Sequence, residues 1–190
     1  VVDDIKKYGS VQRVMLGIQG GDVLNFINAQ KEEGKNVDLV IEAFIELYKR
    51  GSEAQITFYG GTEERLEELR NRYDLPPTIH FKGIVNEVPY HLHQCYLSAS
   101  YTELFANACI EALSQGLLAL LSDVEIAHRF YANQSNAINL FKSKSELIQK
   151  IEEMEEPDFY LSNEKNLALA SRYSLEKVAQ IYRELLDRNF

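Results

Sequence analysis

Residues 96–121 read YLSASYTELFANACIEALSQGLLALL, and their pattern decides the fold class. Tyr96 to Ala99 is a short strand, and Ser100 opens a loop. Phe105 to Gln115 is an apolar helix, with Gly116 placed as the C′ residue that ends it. Leu117 to Leu121 is an uninterrupted apolar run, as expected of a strand covered by helices on both faces of a parallel sheet. Strand, loop, helix and strand repeat in both directions from here. Upstream, Val23 to Ala29 is a strand, and Val37 to Tyr48 has apolar residues at helical spacing behind Asn36, a candidate N-cap. Gln55 to Tyr59 is a strand ending at Gly60-Gly61, and Thr62 to Tyr73 is a charged helix. Ile79 to Lys82 is a strand ended by Gly83, and Asn86 begins a short helix around Tyr90 to Leu92. Downstream follow a helix near Glu125 to Tyr131 and a strand at Ala137 to Leu140. Ser143-x-x-Glu146 is a capping box opening a helix to Met154, and two further helices cover Ser162 to Ser171 and Ser174 to Arg188. About five alternations predict an α/β fold with a doubly wound, mainly parallel, Rossmann-like sheet.

The 190 residues are enough for one domain with a substantial core and too few for two ordinary ones. A net charge of −9 argues against a nucleic-acid surface, which needs basic residues to displace counterions, but leaves room for a small anion in one local pocket. No apolar run reaches membrane-spanning length, and the N-terminus has no signal-peptide pattern. The chain lacks a starting Met and reads as a fragment of something longer, with Gly17, Gly20 and Gly21 suggesting a junction over residues 1–22. Cys95 and Cys109 sit in apolar surroundings and are expected to be buried, reduced thiols of a cytoplasmic protein.

In a doubly wound sheet, ligands bind beyond the C-terminal ends of the strands, so the loops there are where chemistry belongs. Glu103 falls in the loop after one strand, and Glu111 lies eight positions on, in the helix, between Cys109-Ile110 and Ala112-Leu113. An acid in so apolar a helix is costly unless something donates hydrogen bonds to it, and the adjacent hydroxyls of a ribose are a natural donor pair. The amides opening that helix, around Leu104, Phe105, Ala106 and Asn107, suit a phosphate. The bland alternative makes Glu111 a solvated-face acid and Glu103 a loop acid. Lys35 lies just before a helix, so its ammonium and the helix terminus act on one anion; the bland alternative is a solvated cation. His91 and His93, two positions apart, face away from each other on a helix and are read as surface or capping histidines; His128 is read as a helix-surface histidine. No Gly-x-Gly-x-x-Gly or Walker pattern occurs, and a response-regulator reading of Val1-Val2-Asp3-Asp4 fails because the strand ending at Tyr59-Gly60-Gly61 has no phosphoacceptor Asp.

The segment from Ser100 to Gly116 resembles the E-x7-E motif of retaining GT-B glycosyltransferases, glycosyltransferase family 4 in particular. Ser100, Glu103, Phe105, Glu111, Ala112, Leu113 and Gly116 match the pattern, while Leu104 stands in place of the usual Gly and Leu118 in place of the usual Pro. Glu33 to Phe44 is similar to a second family stretch, whose Lys corresponds to Lys35; Gln30 stands where an Arg is usual. Phe58 to Gly61 resembles the family's strand and glycine loop. Ile79 to Val85 resembles its Ile-x-Phe-x-Gly-x-Val segment, whose following loop borders the nucleotide base. Ser122-Asp123 and the last helix after Tyr173-Ser174 continue the resemblance, which spans about residues 23 to 188.

The resemblance implies a mechanism and a set of roles. The chain is the C-terminal, donor-binding half of a two-domain enzyme, residues 1–190 forming one Rossmann-like domain. The enzyme transfers a sugar from a nucleoside diphosphate sugar to a glycan or lipid-linked acceptor, with retention of anomeric configuration, as in polysaccharide biosynthesis. Glu103 and Lys35 are the catalytic residues, orienting the donor sugar and stabilising the diphosphate leaving group. Glu111 holds the ribose, and Leu104, Phe105, Ala106, Asn107, Gly60, Gly83, Ile84, Val85 and Gln30 complete the donor-binding set. No metal and no cofactor are expected, and no nucleic acid. The acceptor is engaged through an N-terminal domain, so this chain alone is expected to be inactive. The location is cytoplasmic, and a lipid-linked acceptor brings the full-length enzyme to the inner face of the membrane. The alternative is a GT-B-like domain without catalysis, in an interaction or regulatory role, which Leu104 and Gln30 favour. An epimerase or phosphorylase is a lesser reading.

Overall fold

A computed structural model describes residues 25–29, 36–101, 107–123, 126–135, 138–156, 164–174, 177 and 180. Gln30, Lys35, Glu103, Leu104, Phe105 and Ala106, the 1–22 junction and most of the last expected helix lie outside these. The strands are β1 (Asn25–Ala29), β2 (Gln55–Tyr59), β3 (Ile79–Gly83), β4 (Cys95–Ser98), β5 (Leu118–Ser122) and β6 (Ile138–Phe141). The helices are α1 (Val37–Lys49), α2 (Glu63–Arg72), α3 (Asn107–Ser114), α4 (Ile126–Ala132), α5 (Lys144–Glu155) and α6 (Glu164–Ser171), with a 3-10 turn at Tyr90–Leu92.

The sheet has the order β3-β2-β1-β4-β5-β6. Every pairing is parallel. The chain therefore builds outward from β1 through β2 to β3, returns to lay β4 on the other side of β1, and builds outward again. The reversal between β1 and β4 is the switch point at which doubly wound sheets open a crevice.

The period of two along each strand sorts side chains onto two cores. Ile56 and Phe58 of β2, Cys95 and Leu97 of β4, and Leu118 and Leu120 of β5 meet α1 and α5 on one face. Tyr96 of β4, Ala119 and Leu121 of β5 and Ile138 of β6 meet α3, Tyr131 of α4 and α6 on the other. This explains the apolar run into Leu121: all five residues of β5, Ser122 included, are buried. Helix α1 turns Val40, Ile41, Phe44 and Leu47 inward, the stripe expected from their spacing. Both cysteines are buried and outside any disulfide, and burial raises the Cys95 thiol pKa.

Local signals at helix ends hold in most places. Thr62 accepts from the Arg65 amide and Ser143 from the Glu146 amide. The carboxylate of Glu146 reaches back to the Lys142 amide at 2.9 Å, one residue before the N-cap, so the capping box is offset by one. Asn36 is a correction. It stands at the N-cap of α1 in the left-handed region (φ 54°, ψ 43°) and makes no side-chain cap bond, so its side chain does not do what its type suggested. Another correction is Asn86, which stands in a bend; the 3-10 turn is preceded by Pro89.

Helices α1 and α3 end alike. Gly116 N–H donates to Leu113 and Leu117 N–H to Ala112, and Gly51 and Ser52 repeat this on Tyr48 and Leu47. Gly51 has φ +91° and open space where a Cβ would go. Substitution there tests backbone strain without a clash. Gly51→Ala should cost about 1 kcal/mol of unfolding free energy, read from the shift in a urea-denaturation midpoint.

Candidate functional site

Beyond the C-terminal ends of β2 and β3, and against the helix that follows β4, lies a cavity of about 740 Å³. Three segments form its wall. Tyr59 and Gly60 end β2; residues 84–88 with Tyr90 and His91 follow β3; Asn107, Ala108, Glu111, Ser114 and Gln115 come from α3. Five residues picked separately from the sequence meet here: Gly60, Ile84, Val85, Asn107 and Glu111. Gly83 does not line the cavity but braces it, its carbonyl accepting from the Gly60 amide at 2.6 Å. Both glycines have positive φ, +96° at Gly60 and +63° at Gly83, which lets two loops turn sharply at one height.

Glu111 is not embedded among its apolar sequence neighbours, a correction to the burial cost expected of it. Cys109, Ala112 and Leu113 turn to the core, while Glu111 is exposed on the cavity face of α3. It needs no ligand to be tolerated there, yet it has a protein donor. The Tyr90 hydroxyl donates to Glu111 Oε2 at 3.1 Å, and the same hydroxyl lies 3.4 Å from the Ala108 carbonyl oxygen. Tyr90 is 7% exposed and packs in the cluster that holds Cys109 and Leu113. Burial first, and the Glu111 charge second, raise its pKa above the ordinary tyrosine value, so the phenol stays a donor.

The charged side chains on the described wall are Glu87 and Glu111, with His91 beside them; no Lys or Arg lines it among the described residues. That set suits hydroxyl donors rather than phosphates. His93 packs its ring edge-on to Tyr59 at 5.8 Å, and the Tyr59 hydroxyl lies 3.4 Å from its Nε2. It is the residue that ends the 3-10 turn, its amide donating to Tyr90. His128 is a further correction. It is fully buried rather than on a helix surface, with Nδ1 2.9 Å from the Ser122 carbonyl and 3.2 Å from the Ser122 hydroxyl. The Ser122 hydroxyl in turn donates to the Ser100 carbonyl at 2.6 Å, tying the end of β5 to the start of the loop after β4. Tyr59, Tyr90 and His91 also form the wall, beyond the residues expected from the sequence. Of these Tyr59 had a signal, since it is the last residue of a strand entering a glycine loop.

Among the described residues no group of three or more His, Cys, Asp or Glu could hold a metal ion, and no helix is long and apolar enough to cross a membrane.

With this geometry in hand, the family described as "Glycosyl transferases group 1" matches residues 12–172. The chain belongs to that family. Its sheet and helices are those of a GT-B glycosyltransferase, Rossmann-like in build. Over 186 residues it is 23% identical to alpha-monoglucosyldiacylglycerol synthase of Acholeplasma laidlawii, covering 92% of this chain and 46% of that protein. Over 166 residues it is 26% identical to the GtfA subunit of the UDP-N-acetylglucosamine--peptide N-acetylglucosaminyltransferase of Limosilactobacillus reuteri subsp. suis, covering 80% of this chain and 32% of that protein. Among solved structures it superposes on sucrose-phosphate synthase from Thermosynechococcus elongatus with a TM-score of 0.70 at 18% identity, over 99% of this chain and 49% of that one. The GtfA/B complex gives a TM-score of 0.72 at 18% identity, over 92% and 38%. The chain thus spans less than half the length of the curated relatives it matches.

Burial first, and His91 second, lower the pKa of His93 from 6.5 to about 4. Between those values the unfolded chain binds more protons than the folded one, so this group's contribution to stability is present above about pH 6.5 and is lost as pH falls toward 4. His93→Gln should flatten the fall in urea midpoint between pH 7 and pH 5; an unchanged slope would place the acid sensitivity elsewhere.

Proposed function

We infer that this chain is the donor-binding region of a retaining glycosyltransferase of family 4, transferring a sugar from a nucleoside diphosphate sugar to a glycan or lipid-linked acceptor. The observation that carries the reading is the cavity that gathers Gly60, Ile84, Val85, Asn107 and Glu111 from three separate segments. Its position beyond the strand ends is where a doubly wound sheet holds a nucleotide. The exposed Glu111 carboxylate accepts from the ribose hydroxyls, and the Ile84–Val85 loop borders the base. The described wall carries no Lys or Arg, so the diphosphate charge needs a cation from elsewhere. Lys35 takes that role, with the amides after Glu103, and Glu103 orients the sugar. No metal is required, because lysine and helix amides supply the positive potential at the leaving group.

The nucleotide tried first is UDP, because it stands in the names of two relatives, the GtfA subunits of L. reuteri subsp. suis and Streptococcus pneumoniae. The acceptor is engaged by a second, N-terminal domain, for which the relatives' more than twofold greater length leaves room. A non-catalytic, interaction role is the second reading, favoured by Leu104 and Gln30, where the family has Gly and Arg.

Calorimetry of the 190-residue chain against UDP, GDP and ADP should show one nucleotide binding in the micromolar-to-millimolar range. Glu111→Ala should weaken that nucleotide by about 10- to 100-fold, the worth of a hydrogen bond to a charged acceptor. Binding of none of the three would overturn the reading. In the longer enzyme, Lys35→Ala should lower kcat with the donor retained, and product analysis should show the donor's anomeric configuration kept.

A further inference from the structure

A carboxylate that grips a diol must present its oxygens in a fixed plane, and an exposed glutamate does not do so unaided. Its three side-chain torsions are free in water, and ordering them on binding costs about 1 to 2 kcal/mol. Glu111 is exposed on α3, yet it is not left to wander, because the Tyr90 hydroxyl donates to its Oε2 at 3.1 Å.

We propose that Tyr90 is a positioning residue for nucleotide recognition: its buried phenol holds Oε2 of Glu111 and thereby aims the rest of that carboxylate into the cavity at the ribose hydroxyls. The proposal rests on the reading of Glu111 as the ribose acid. Three observations make Tyr90 suited to the task. Its ring is nearly sealed, at 7% exposure, among residues of the same cluster as Cys109 and Leu113, so α3 itself holds the ring that holds its glutamate. Its backbone is pinned at both ends of the 3-10 turn, Tyr90 N–H donating to Val88 and His93 N–H to Tyr90, each at 2.9 Å. A tyrosine has two side-chain torsions to fix, and here both are fixed before any ligand arrives, so the ordering cost falls on folding and not on binding.

The phenol has one proton and two acceptors in reach, Glu111 Oε2 at 3.1 Å and the Ala108 carbonyl at 3.4 Å. The carboxylate is the stronger acceptor, since it carries charge. The Ala108 carbonyl lies one helical turn before Glu111 and keeps the hydroxyl satisfied if the glutamate swings away. Because burial and the Glu111 charge keep the phenol protonated, the arrangement persists across the working pH range. A purely packing role for Tyr90 needs the ring and not the hydroxyl, and that difference is measurable.

The test is calorimetry on the 190-residue chain with UDP, GDP and ADP and with the 2′,3′-dideoxy form of whichever binds. Tyr90→Phe keeps the ring and removes the donor. It should weaken the ribonucleotide by about three- to tenfold, the worth of one neutral-donor hydrogen bond, and leave the dideoxynucleotide unchanged. In the Glu111→Ala background the same substitution should have no further effect. Circular dichroism melts of each variant check that the fold is kept, and Glu111→Gln, whose amide oxygen still accepts from the phenol, serves as the variant with the contact retained. If Glu111→Ala leaves nucleotide affinity unchanged, the ribose reading itself fails and the proposal with it. If Glu111→Ala weakens binding but Tyr90→Phe does not, or weakens both nucleotides equally, or acts undiminished without Glu111, the proposal fails while the ribose reading stands.

Discussion

A strand with neighbours on both sides and helices over both faces favours apolar side chains, and β5 meets that condition from Leu118 to Leu121, its last residue, Ser122, being buried with its hydroxyl bonded to the Ser100 carbonyl. The crossovers that cover it from two sides go with parallel strands, and parallel strands deliver all their C-terminal ends to one edge. The cavity exists because of that delivery. Tyr59, the residues after Gly83 and the helix after β4 are far apart in the chain and adjacent in space only because the sheet places their strands at one edge. The central apolar ladder is thus the constraint on which the site depends, although it contributes no atom to the cavity wall.

The elements were legible wherever a period and a stop signal agreed. β2 was read to the residue, and α1, α2 and α5 to within one or two, because each is bounded by a cap or a glycine. Much of the cavity was legible too, since Gly60, Ile84, Val85, Asn107 and Glu111 belong to segments that resemble a known family in the same order. What resisted reading has physical causes. The side chain of Asn36 has the right type for a cap, but its backbone is left-handed and that geometry removes the bond. His128 is held by Ser122, whose hydroxyl is tied in turn to Ser100 in the loop after β4, a contact across 22 positions that no local window contains.

Tyr90 is the clearest case of a residue with no local signature. Its neighbours Val88, Pro89 and His91 form neither a helical stripe nor an alternation, and its value arises from being opposite Glu111, which lies 21 positions away. Conversely, the apolar neighbours of Glu111 made it look buried, when the helix turns it to the open face. A residue's sequence neighbours report on its helix and not on its side of the helix, and the side is what chemistry uses.

The pairing of β2 with β3 contains a small irregularity with a large geometrical effect. Phe58 opposes Phe81, but Tyr59 opposes Gly83, so Lys82 has no opposite number. In a structure where successive side chains alternate between two faces, one unmatched residue inverts the parity of everything after it. The alternation that carries Phe58 and Phe81 onto one layer is broken just before the loop that walls the cavity. Gly83, at φ +63°, then ends the alternation, so Ile84 and Val85 enter the loop with no strand period to place them. The rim of the cavity is therefore placed by one unmatched residue and one left-handed glycine, and not by the pleat of the sheet.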